Sequence, residues 1–325
     1  MPKSKLVVFV TDRGFLVPSL VAATQLVEFG HLNQADIVIY TIDIDESVLS
    51  YLKSKYENRI RFEALAARSF MPSETVRFFA NHVPKAALAR LALHDAIDKR
   101  YEDVVYLDGD IQVMRPLTRL LDYSVPEGKI LAGRGSAWLD KYAPDDKATP
   151  DGYLESLGGV APEDYFNSGV LAFRRSTWEV EAPRALSFFM EHSDICIRHD
   201  QSALNAIFLG RVMHFAPAYN FHRAYSSLFL QDVYTPTMIH FTGSDKPWNS
   251  QALPWGGQFI GIYRIFMQMH PELAGYLSVS THGPGLAVLA KKSVASGLSR
   301  LGWDPALRAK RKAILEYIAE GSFAF

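Results

Sequence analysis

An alternation of strand-like and helix-like patterns over the first third of the chain most constrains what this sequence can fold into. Short apolar runs indicate buried strands, and stretches with helical periodicity lie between them. The predicted strands are 6–10, 36–42, 59–65 and 104–107, and the predicted helices are 18–29, 47–56 and 84–99. This alternation predicts an α/β fold with a mainly parallel sheet covered by helices, in which ligands bind beyond the carboxyl ends of the strands.

The middle of the chain has a different character. Residues 134–165 are rich in Gly, Pro, Asp and Tyr and show weak periodicity, so we predict a long irregular excursion that serves as a lid or an acceptor loop. Regular patterns then return, with predicted strands at 169–173 and 238–241 and predicted helices at 177–191 and 201–209.

Composition excludes several classes of protein. The 325 residues are 48% hydrophobic, which excludes a disordered chain, and the net charge of −1 offers no global field that would attract nucleic acid. Cys196 is the single cysteine, which excludes an internal disulfide and fits a reducing compartment. Since no apolar run reaches the ~18 residues of a membrane span, we expect a soluble, cytoplasmic protein or one attached to a membrane surface.

The last fifty residues are more basic than the rest of the chain. Residues 291–312 contain seven Lys and Arg side chains and one Asp, a local charge of +6. Leu307, Ile314, Leu315 and Ile318 fall at helical spacing beside this charge. Two interpretations stay open: a basic amphipathic helix on an anionic membrane surface, such as the inner face of the cell membrane, or a surface helix with one face packed on the domain.

The strongest local signal is Val104-Val-Tyr-Leu-Asp-Gly-Asp110, in which an apolar strand ends in two aspartates. Residues two apart in extended backbone point to the same side, so Asp108 and Asp110 can present two carboxylates to one ligand. Paired carboxylates suit Mg²⁺ or Mn²⁺, and such an ion can bridge two phosphates. A solvated Asp-Gly turn is the structural alternative.

The second signal is the nine-residue string His240-Phe-Thr-Gly-Ser-Asp-Lys-Pro-Trp248. A neutral imidazole is a good third ligand for Mn²⁺ beside carboxylates. Gly243 allows backbone amides to face an anion, and Lys246 can supply a cation to phosphate oxygens. Each residue alone has an ordinary interpretation as a core histidine, a loop glycine or a surface lysine, so it is their combination that favours a site.

These two segments, with Phe166-Asn-Ser-Gly-Val-Leu171 and Asp200-Gln201, resemble glycosyltransferase family 8, which includes glycogenin and the bacterial lipopolysaccharide galactosyl- and glucosyltransferases. The resemblance covers roughly residues 5–250. It implies a single GT-A-type nucleotide-sugar transferase domain with a Rossmann-like mixed, mainly parallel sheet. We expect this domain over 1–270, with a nucleotide-binding half of about 1–115 and an acceptor half of about 116–270, and a small basic helical extension over 271–325.

The resemblance also implies how the donor is bound. Asp108, Asp110 and His240 match the family's Mn²⁺ ligands, with Mg²⁺ as an alternative ion, and Gly243 and Lys246 match its diphosphate contacts.

Further matches extend the donor site towards the nucleotide and the sugar. Thr11 and Asp12 match the segment that holds the uracil and ribose, and Arg90 matches a basic residue that contacts the donor sugar and phosphate. Gly14 departs from the pattern, since many relatives carry an asparagine there, so we expect a ribose or base contact to be lost or supplied by backbone.

Asn167, Asp200 and Gln201 match residues around the donor sugar and the reacting carbon, and we expect them to form the catalytic centre. Judged from the sequence pattern alone, Asn167 lies at a loop–strand junction. Asp200 could be a helix N-cap, and Arg90 lies in the middle of a helix, where a solvated face is the alternative.

The expected activity follows from the resemblance. It implies a retaining, Mn²⁺-dependent hexosyltransferase that moves glucose or galactose from a UDP-sugar to a glycan, a glycolipid or another acceptor, as in lipopolysaccharide biosynthesis. Because Gln201 is an amide and a covalent route needs a carboxylate nucleophile, we predict attack by the acceptor on the face that the diphosphate leaves.

Two other functions stay open. A nucleotidyltransferase also places paired aspartates beside a nucleotide, although the turn at 11–15 holds one glycine where those enzymes have a Gly-rich loop. A non-catalytic nucleotide-sugar-binding protein would be expected to have lost ligands, and Asp108, Asp110, His240 and Lys246 are all present.

Overall fold

A seven-stranded sheet organises the chain, which the computed structural model describes over residues 3–70, 85–142, 149–280, 285–301 and 304–325. The strands are β1 (Lys5–Thr11), β2 (Asp36–Thr41), β3 (Arg61–Ala64), β4 (Asp103–Leu107), β5 (Ile111–Val113), β6 (Ile130–Arg134), β7 (Phe166–Arg174), β8 (Val212–His214) and β9 (Met238–His240). Seven of them pair in the order β3-β2-β1-β4-β7-β6-β8, and β5 and β9 form a separate pair.

Helices cover both faces of the sheet and end the chain. They are α1 (Leu16–Glu28), α2 (Glu46–Lys55), α3 (Leu93–Ala96), α4 (Thr118–Asp122), α5 (Tyr153–Ser156), α6 (Arg175–Glu191), α7 (Asp200–Ile207), α8 (Arg223–Ser226), α9 (Ile260–Met269), α10 (Leu286–Leu301) and α11 (Pro305–Glu320). Among the described residues, no helix is long and apolar enough to cross a membrane.

The strand directions confirm the predicted mixed, mainly parallel α/β sheet. β3, β2, β1 and β4 run parallel to one another, β7 is antiparallel to both β4 and β6, and β8 is parallel to β6. The carboxyl ends of β1, β2 and β4 therefore lie at one edge of the sheet, where polar residues that follow the strands come together.

Burial on both faces explains why β1 is apolar throughout. Leu6 and Val8 pack in a cluster with residues of α6 and α7, whereas Val7 and Phe9 pack in a second cluster with α1. Successive side chains of a strand point to opposite faces, so a strand covered on both faces needs a continuous apolar run instead of an alternating one.

The predicted helix at 84–99 is wrong for most of its length. The segment Lys85–Ala92 is a 3₁₀-helix and α3 covers only Leu93–Ala96, while Pro84 lies outside the described residues. The spacing of apolar residues does not separate 3.0 from 3.6 residues per turn well enough to distinguish the two helices in so short a segment.

Several short elements were not predicted. β5, β6, β8 and α4 have three to five residues each, too few for a periodic pattern to stand out. The predicted excursion at 134–165 begins on the last residue of β6 and contains a 3₁₀ turn at Ala137–Leu139 and the single-turn α5. Residues 143–148 of it lie outside the described residues.

The predicted basic C-terminal extension is helical, and its two helices, α10 and α11, differ in burial. Asp304 is the N-cap of α11, and its carboxylate accepts hydrogen bonds from the N–H groups of Ala306 and Leu307. Its Ile314 and Tyr317 are buried against a cluster that includes Trp138, so the packed-helix interpretation holds for α11. By contrast, none of the described side chains of α10 is buried.

Candidate metal centre and donor site

The three predicted metal ligands converge at the carboxyl edge of the sheet. Asp108 directly follows β4, Asp110 directly precedes β5, and His240 ends β9. Because Ile111 of β5 pairs with His240, the antiparallel pair brings Asp110 beside the imidazole. The His240 Nε2 atom lies 3.2 Å from Asp110 Oδ1 and 3.7 Å from Asp108 Oδ2. One ligand atom from each residue lies within 4.8 Å of the others, which is the donor set of a divalent cation site.

Gly169 makes room for this cluster. A Cβ atom at this position would lie 2.1 Å from His240 Cε1 and 2.8 Å from Asp108 Oδ2, so only glycine allows the imidazole and the carboxylate to meet here. The carbonyl of Gly169 also accepts a hydrogen bond from the Asp108 N–H at 2.8 Å, which fixes the backbone of the first ligand. The residues present therefore fit a bound metal ion both in their chemistry and in the space between them.

Lys246 provides a cation on the far side of Asp110. Its ammonium lies 2.6 Å from Asp110 Oδ2 and donates to the Phe241 carbonyl at 2.8 Å. Burial opposes ionisation of Asp110, but the neighbouring Lys246 and His240 outweigh burial and hold the pKa of Asp110 well below its ordinary value. Asp110 is consequently a carboxylate at any pH near neutrality, as a metal ligand must be.

Arg90 joins the metal cluster to the catalytic candidates. Its guanidinium is nearly fully buried and lies 2.8 Å from Asp108 Oδ1 and 3.1 Å from Asp200 Oδ2, and it donates to the Ser168 carbonyl at 2.5 Å. The two carboxylates raise the pKa of Arg90 well above its ordinary value, against the opposing effect of burial. The same guanidinium stacks over the ring of Tyr106, whose hydroxyl donates to Asp108 Oδ1 at 2.8 Å.

Two sequence interpretations of this cluster were wrong. The solvated-face alternative for Arg90 fails because 6% of its side chain is exposed. The N-cap alternative for Asp200 fails because His199 is the N-cap of α7, and the Asp200 carboxylate binds Arg90 and accepts a hydrogen bond from the Ser168 hydroxyl. Burial raises the pKa of Asp200 to about 6, with Arg90 lowering it and the charge of Asp108 adding to the rise.

Asn167 and Gln201 contact each other, and Asn167 lies at the predicted loop–strand junction, as the second residue of β7. The Asn167 Nδ2 group donates to Gln201 Oε1 at 3.0 Å, and the Gln201 Nε2 group donates to the Tyr165 hydroxyl at 2.8 Å. Tyr165, at the end of the irregular excursion, thus places that segment against the expected donor-sugar residues.

The predicted nucleotide and phosphate residues lie in turns at the same edge. Thr11 ends β1 and is buried, and the Asp12 carboxylate accepts a hydrogen bond from the Gly14 N–H at 2.9 Å. Gly243 lies in the turn after β9 with a φ of 95°, in the left-handed region. The side-chain hydrogen bonds of Thr11 and Asp12 stay within their own turn, and the parallel alignment of β1 with β4 sets their position relative to Asp108.

Sequence reasoning missed four residues of the site, namely Tyr106, Tyr165, Ser168 and Asn220. Tyr106 could have been found, because it lies two residues before Asp108 and extended backbone points both side chains the same way. Asn220 bonds to His240 from a 3₁₀ turn twenty residues away, and no local pattern marks it.

A comparison with protein-family models decides the family. The model for glycosyl transferase family 8 matches residues 6–252 of this chain. The chain belongs to glycosyltransferase family 8. Relatives of this chain include general stress protein A of Bacillus subtilis (strain 168), 25% identical over 225 residues that cover 61% of this chain and 74% of that protein. Lipopolysaccharide glucosyltransferase WaaO of Escherichia coli (strain K12) is 26% identical over 259 residues, 74% of this chain and 72% of that protein.

Solved structures show the same fold. The galactosyltransferase LgtC, in complex with donor and acceptor sugar analogues, matches 85% of this chain and 98% of its own with a TM-score of 0.64 and 22% identity. The bifunctional glycosyltransferase WbbM matches 90% of this chain and 52% of its own with a TM-score of 0.62 and 19% identity. The GT-A-type fold expected for a family 8 enzyme is therefore confirmed.

Adding one methyl group at Gly169 is expected to weaken metal binding at this candidate site. In Gly169→Ala the new Cβ displaces His240 or Asp108, and we expect Mn²⁺ affinity to fall on the order of 10–100-fold, the scale at which displaced ligand orientation acts. Titration of Mn²⁺ followed by electron paramagnetic resonance measures this affinity. Gly261→Ala is the control, because a Cβ at that α9 position meets nothing within 4 Å. Unchanged affinity in Gly169→Ala would contradict the assignment of the ligands.

Proposed function

We propose that the chain is a retaining, Mn²⁺-dependent hexosyltransferase that moves glucose or galactose from a UDP-sugar to a glycan or glycolipid acceptor. The convergence of Asp108, Asp110 and His240 carries this proposal, because a pair of carboxylates and an imidazole beside Lys246 suits a metal-bound diphosphate. The names of WaaO, a lipopolysaccharide glucosyltransferase, and LgtC, a galactosyltransferase, support a role in lipopolysaccharide biosynthesis.

Different side chains contact different parts of the donor. Asp108, Asp110 and His240 would hold Mn²⁺, or Mg²⁺ in its place, and the bound ion would supply charge that stabilises the departing diphosphate. Lys246 and the turn at Gly243 bind phosphate oxygens. The uracil and ribose lie against the turn that begins at Thr11 and Asp12, at the carboxyl end of β1.

Arg90 serves the sugar end of the donor. Its buried guanidinium holds the Asp108 carboxylate in place for the metal and fixes Asp200 beside it. With a pKa of about 6, Asp200 is mostly ionised at neutral pH, so its charge can stabilise positive charge that develops on the anomeric carbon or orient the sugar hydroxyls.

Transfer takes place on the face from which the diphosphate leaves. The acceptor hydroxyl oxygen bonds to the anomeric carbon, the bond to the diphosphate oxygen breaks with its electron pair, and the acceptor proton passes to that leaving oxygen. Gln201 is an uncharged amide held by Asn167, Ser168 and Tyr165, so it positions the sugar and does not attack it. A glycosyl adduct trapped on a protein side chain would contradict this route.

Release of UDP tests the proposed activity without knowledge of the acceptor. Incubation with a panel of UDP-sugars and Mn²⁺ should release UDP from UDP-glucose or UDP-galactose, and chelation of the metal should stop the release. Asp110→Asn should abolish the release while the protein stays folded, because the amide cannot replace a charged ligand. Asp122→Asn is the control, since that carboxylate is exposed. Release of pyrophosphate, or normal turnover by Asp110→Asn, would contradict the proposal.

We also propose that the enzyme lies on the cytoplasmic face of an anionic membrane, with α10 in contact with the lipid. Leu286 is 87% exposed and Val294 61% exposed on this helix, where Lys291 is also exposed. A helix that presents apolar side chains and cations to solvent is stabilised at an anionic lipid surface in two ways. Its apolar side chains are buried among the lipids, and its cations are attracted to the anionic headgroups. The buried Cys196, the single cysteine, fits a reducing compartment.

Flotation with vesicles tests this membrane contact. The full chain should float with vesicles that contain phosphatidylglycerol and remain behind with phosphatidylcholine alone. Leu286→Ser combined with Val294→Ser should reduce flotation, whereas Val180→Ser, which removes an equally exposed apolar side chain from α6, should not. Equal flotation of all three proteins would refute a lipid-binding α10.

A further inference from the structure

An amide network, formed by the side chains of Asn220, Asn167 and Gln201, links the proposed metal ligand His240 to the expected donor-sugar residues. Asn220 ends the 3₁₀ turn Pro217–Asn220 and is 1% exposed. Its Oδ1 lies 2.9 Å from His240 Nδ1, and its Nδ2 lies 2.8 Å from Asn167 Oδ1. Asn167 in turn donates to Gln201. Asn220 is therefore the member of the amide network that contacts both the proposed metal ligand His240 and the expected donor-sugar residue Asn167.

Backbone N–H groups fix the direction of every hydrogen bond in the amide network. The Gly169 N–H donates to Asn167 Oδ1 at 3.1 Å, which identifies that atom as an oxygen and leaves Asn167 Nδ2 as the donor. The Ser168 N–H donates to Gln201 Oε1 at 3.2 Å, so the acceptor that Asn167 Nδ2 faces is also an oxygen. Both amides thus have one orientation that satisfies their partners.

This direction determines the tautomer of His240. Since Asn167 Oδ1 can only accept, the group of Asn220 that faces it must be the NH₂, and Asn220 Oδ1 must face the imidazole. An oxygen at that position requires a proton on His240 Nδ1. The lone pair of Nε2 is then available on the side of the ring that faces Asp108 and Asp110, where a metal ligand needs it.

The backbone holds Asn220 and His240 in register. The Phe221 N–H donates to the Met238 carbonyl at 3.1 Å, and the His240 N–H donates to the Phe221 carbonyl at 3.2 Å. Gly133 packs directly on the amide, and a Cβ there would lie 2.8 Å from Asn220 Cβ. These contacts therefore hold the Asn220 side chain beside His240.

We propose that Asn220 is a positioning residue that couples metal binding to donor-sugar binding, by fixing the His240 tautomer with its carbonyl and orienting Asn167 with its NH₂. This inference rests on the proposed metal-dependent transfer. The two halves of the amide make separable contributions, because one faces the metal ligand and the other faces the sugar residues. Substitutions that remove both halves or only one of them distinguish these contributions.

Three variants separate the two contributions. Asn220→Leu removes both bonds, and we expect Mn²⁺ affinity to fall on the order of 10–100-fold, as for other lost partners of ligating histidines. Asn220→Asp keeps an acceptor for His240 Nδ1 but sets an oxygen against Asn167 Oδ1. It should hold Mn²⁺ affinity near that of the wild type while kcat falls about tenfold, the value of one buried hydrogen bond. Thr177→Val is the control. It removes a buried hydroxyl on α6 that accepts a hydrogen bond from the Gly128 N–H and donates one to Glu127, and it lies outside the amide network.

Mn²⁺ titration by electron paramagnetic resonance gives the affinities, and the ¹⁵N shifts of labelled histidines report the tautomer without any metal, with His240→Gln used to assign the signal. In the wild type His240 should carry its proton on Nδ1, and in Asn220→Leu this preference should be lost. Wild-type Mn²⁺ affinity together with an unchanged tautomer in Asn220→Leu would overturn the proposal, as would a proton on Nε2 alone in the wild type. If the wild type binds no Mn²⁺, the proposed function fails, and the ¹⁵N shifts still decide the role of Asn220.

Discussion

The buried ion pairs of Arg90 are the interaction on which the rest of the site depends. Its guanidinium lies between the carboxylates of Asp108 and Asp200, in a region with little solvent. Asp200 is buried and Asp108 is partly buried, so without this cation their carboxylates would repel each other, and removal of one partner of a buried pair typically costs about 3–5 kcal/mol. Arg90 thus lets the chain hold the proposed metal ligand Asp108 and the proposed donor-sugar residue Asp200 side by side. Lys246 performs the same role for Asp110 at the phosphate end.

The fold brings these charges together from distant parts of the sequence. The parallel half of the sheet places the ends of β1 and β4 at one edge, the antiparallel β7 carries Asn167 and Ser168 to the same edge, and the small β5–β9 pair adds His240. Each of these elements therefore contributes one or two polar residues to the site, and the turns beside them carry Asp12, Gly243 and Lys246. Side chains anchored on strands hold ligands in position at little entropic cost, which transfer between two bound sugars requires.

The sequence predicted the sheet and the ligand set because both have local signals. The run at 6–10 must be buried on both faces, and Asp108 and Asp110 must point together from extended backbone. The missing parts depend on tertiary contacts. The burial of Arg90 depends on ion pairs with residues distant in sequence, and Asn220 is recognisable only once β9 lies beside its turn. Short strands such as β6 carry too few residues for a periodic signal.

Anomalous diffraction from a crystal grown with Mn²⁺ and UDP is the most direct measurement of the central claim, that Asp108, Asp110 and His240 form one metal site for a nucleotide-sugar donor. The manganese peak should lie between the two carboxylates and the His240 Nε2 atom, in contact with the diphosphate, with Lys246 on the phosphate oxygens. A manganese peak elsewhere in the chain, or UDP bound away from these three side chains, would contradict the claim.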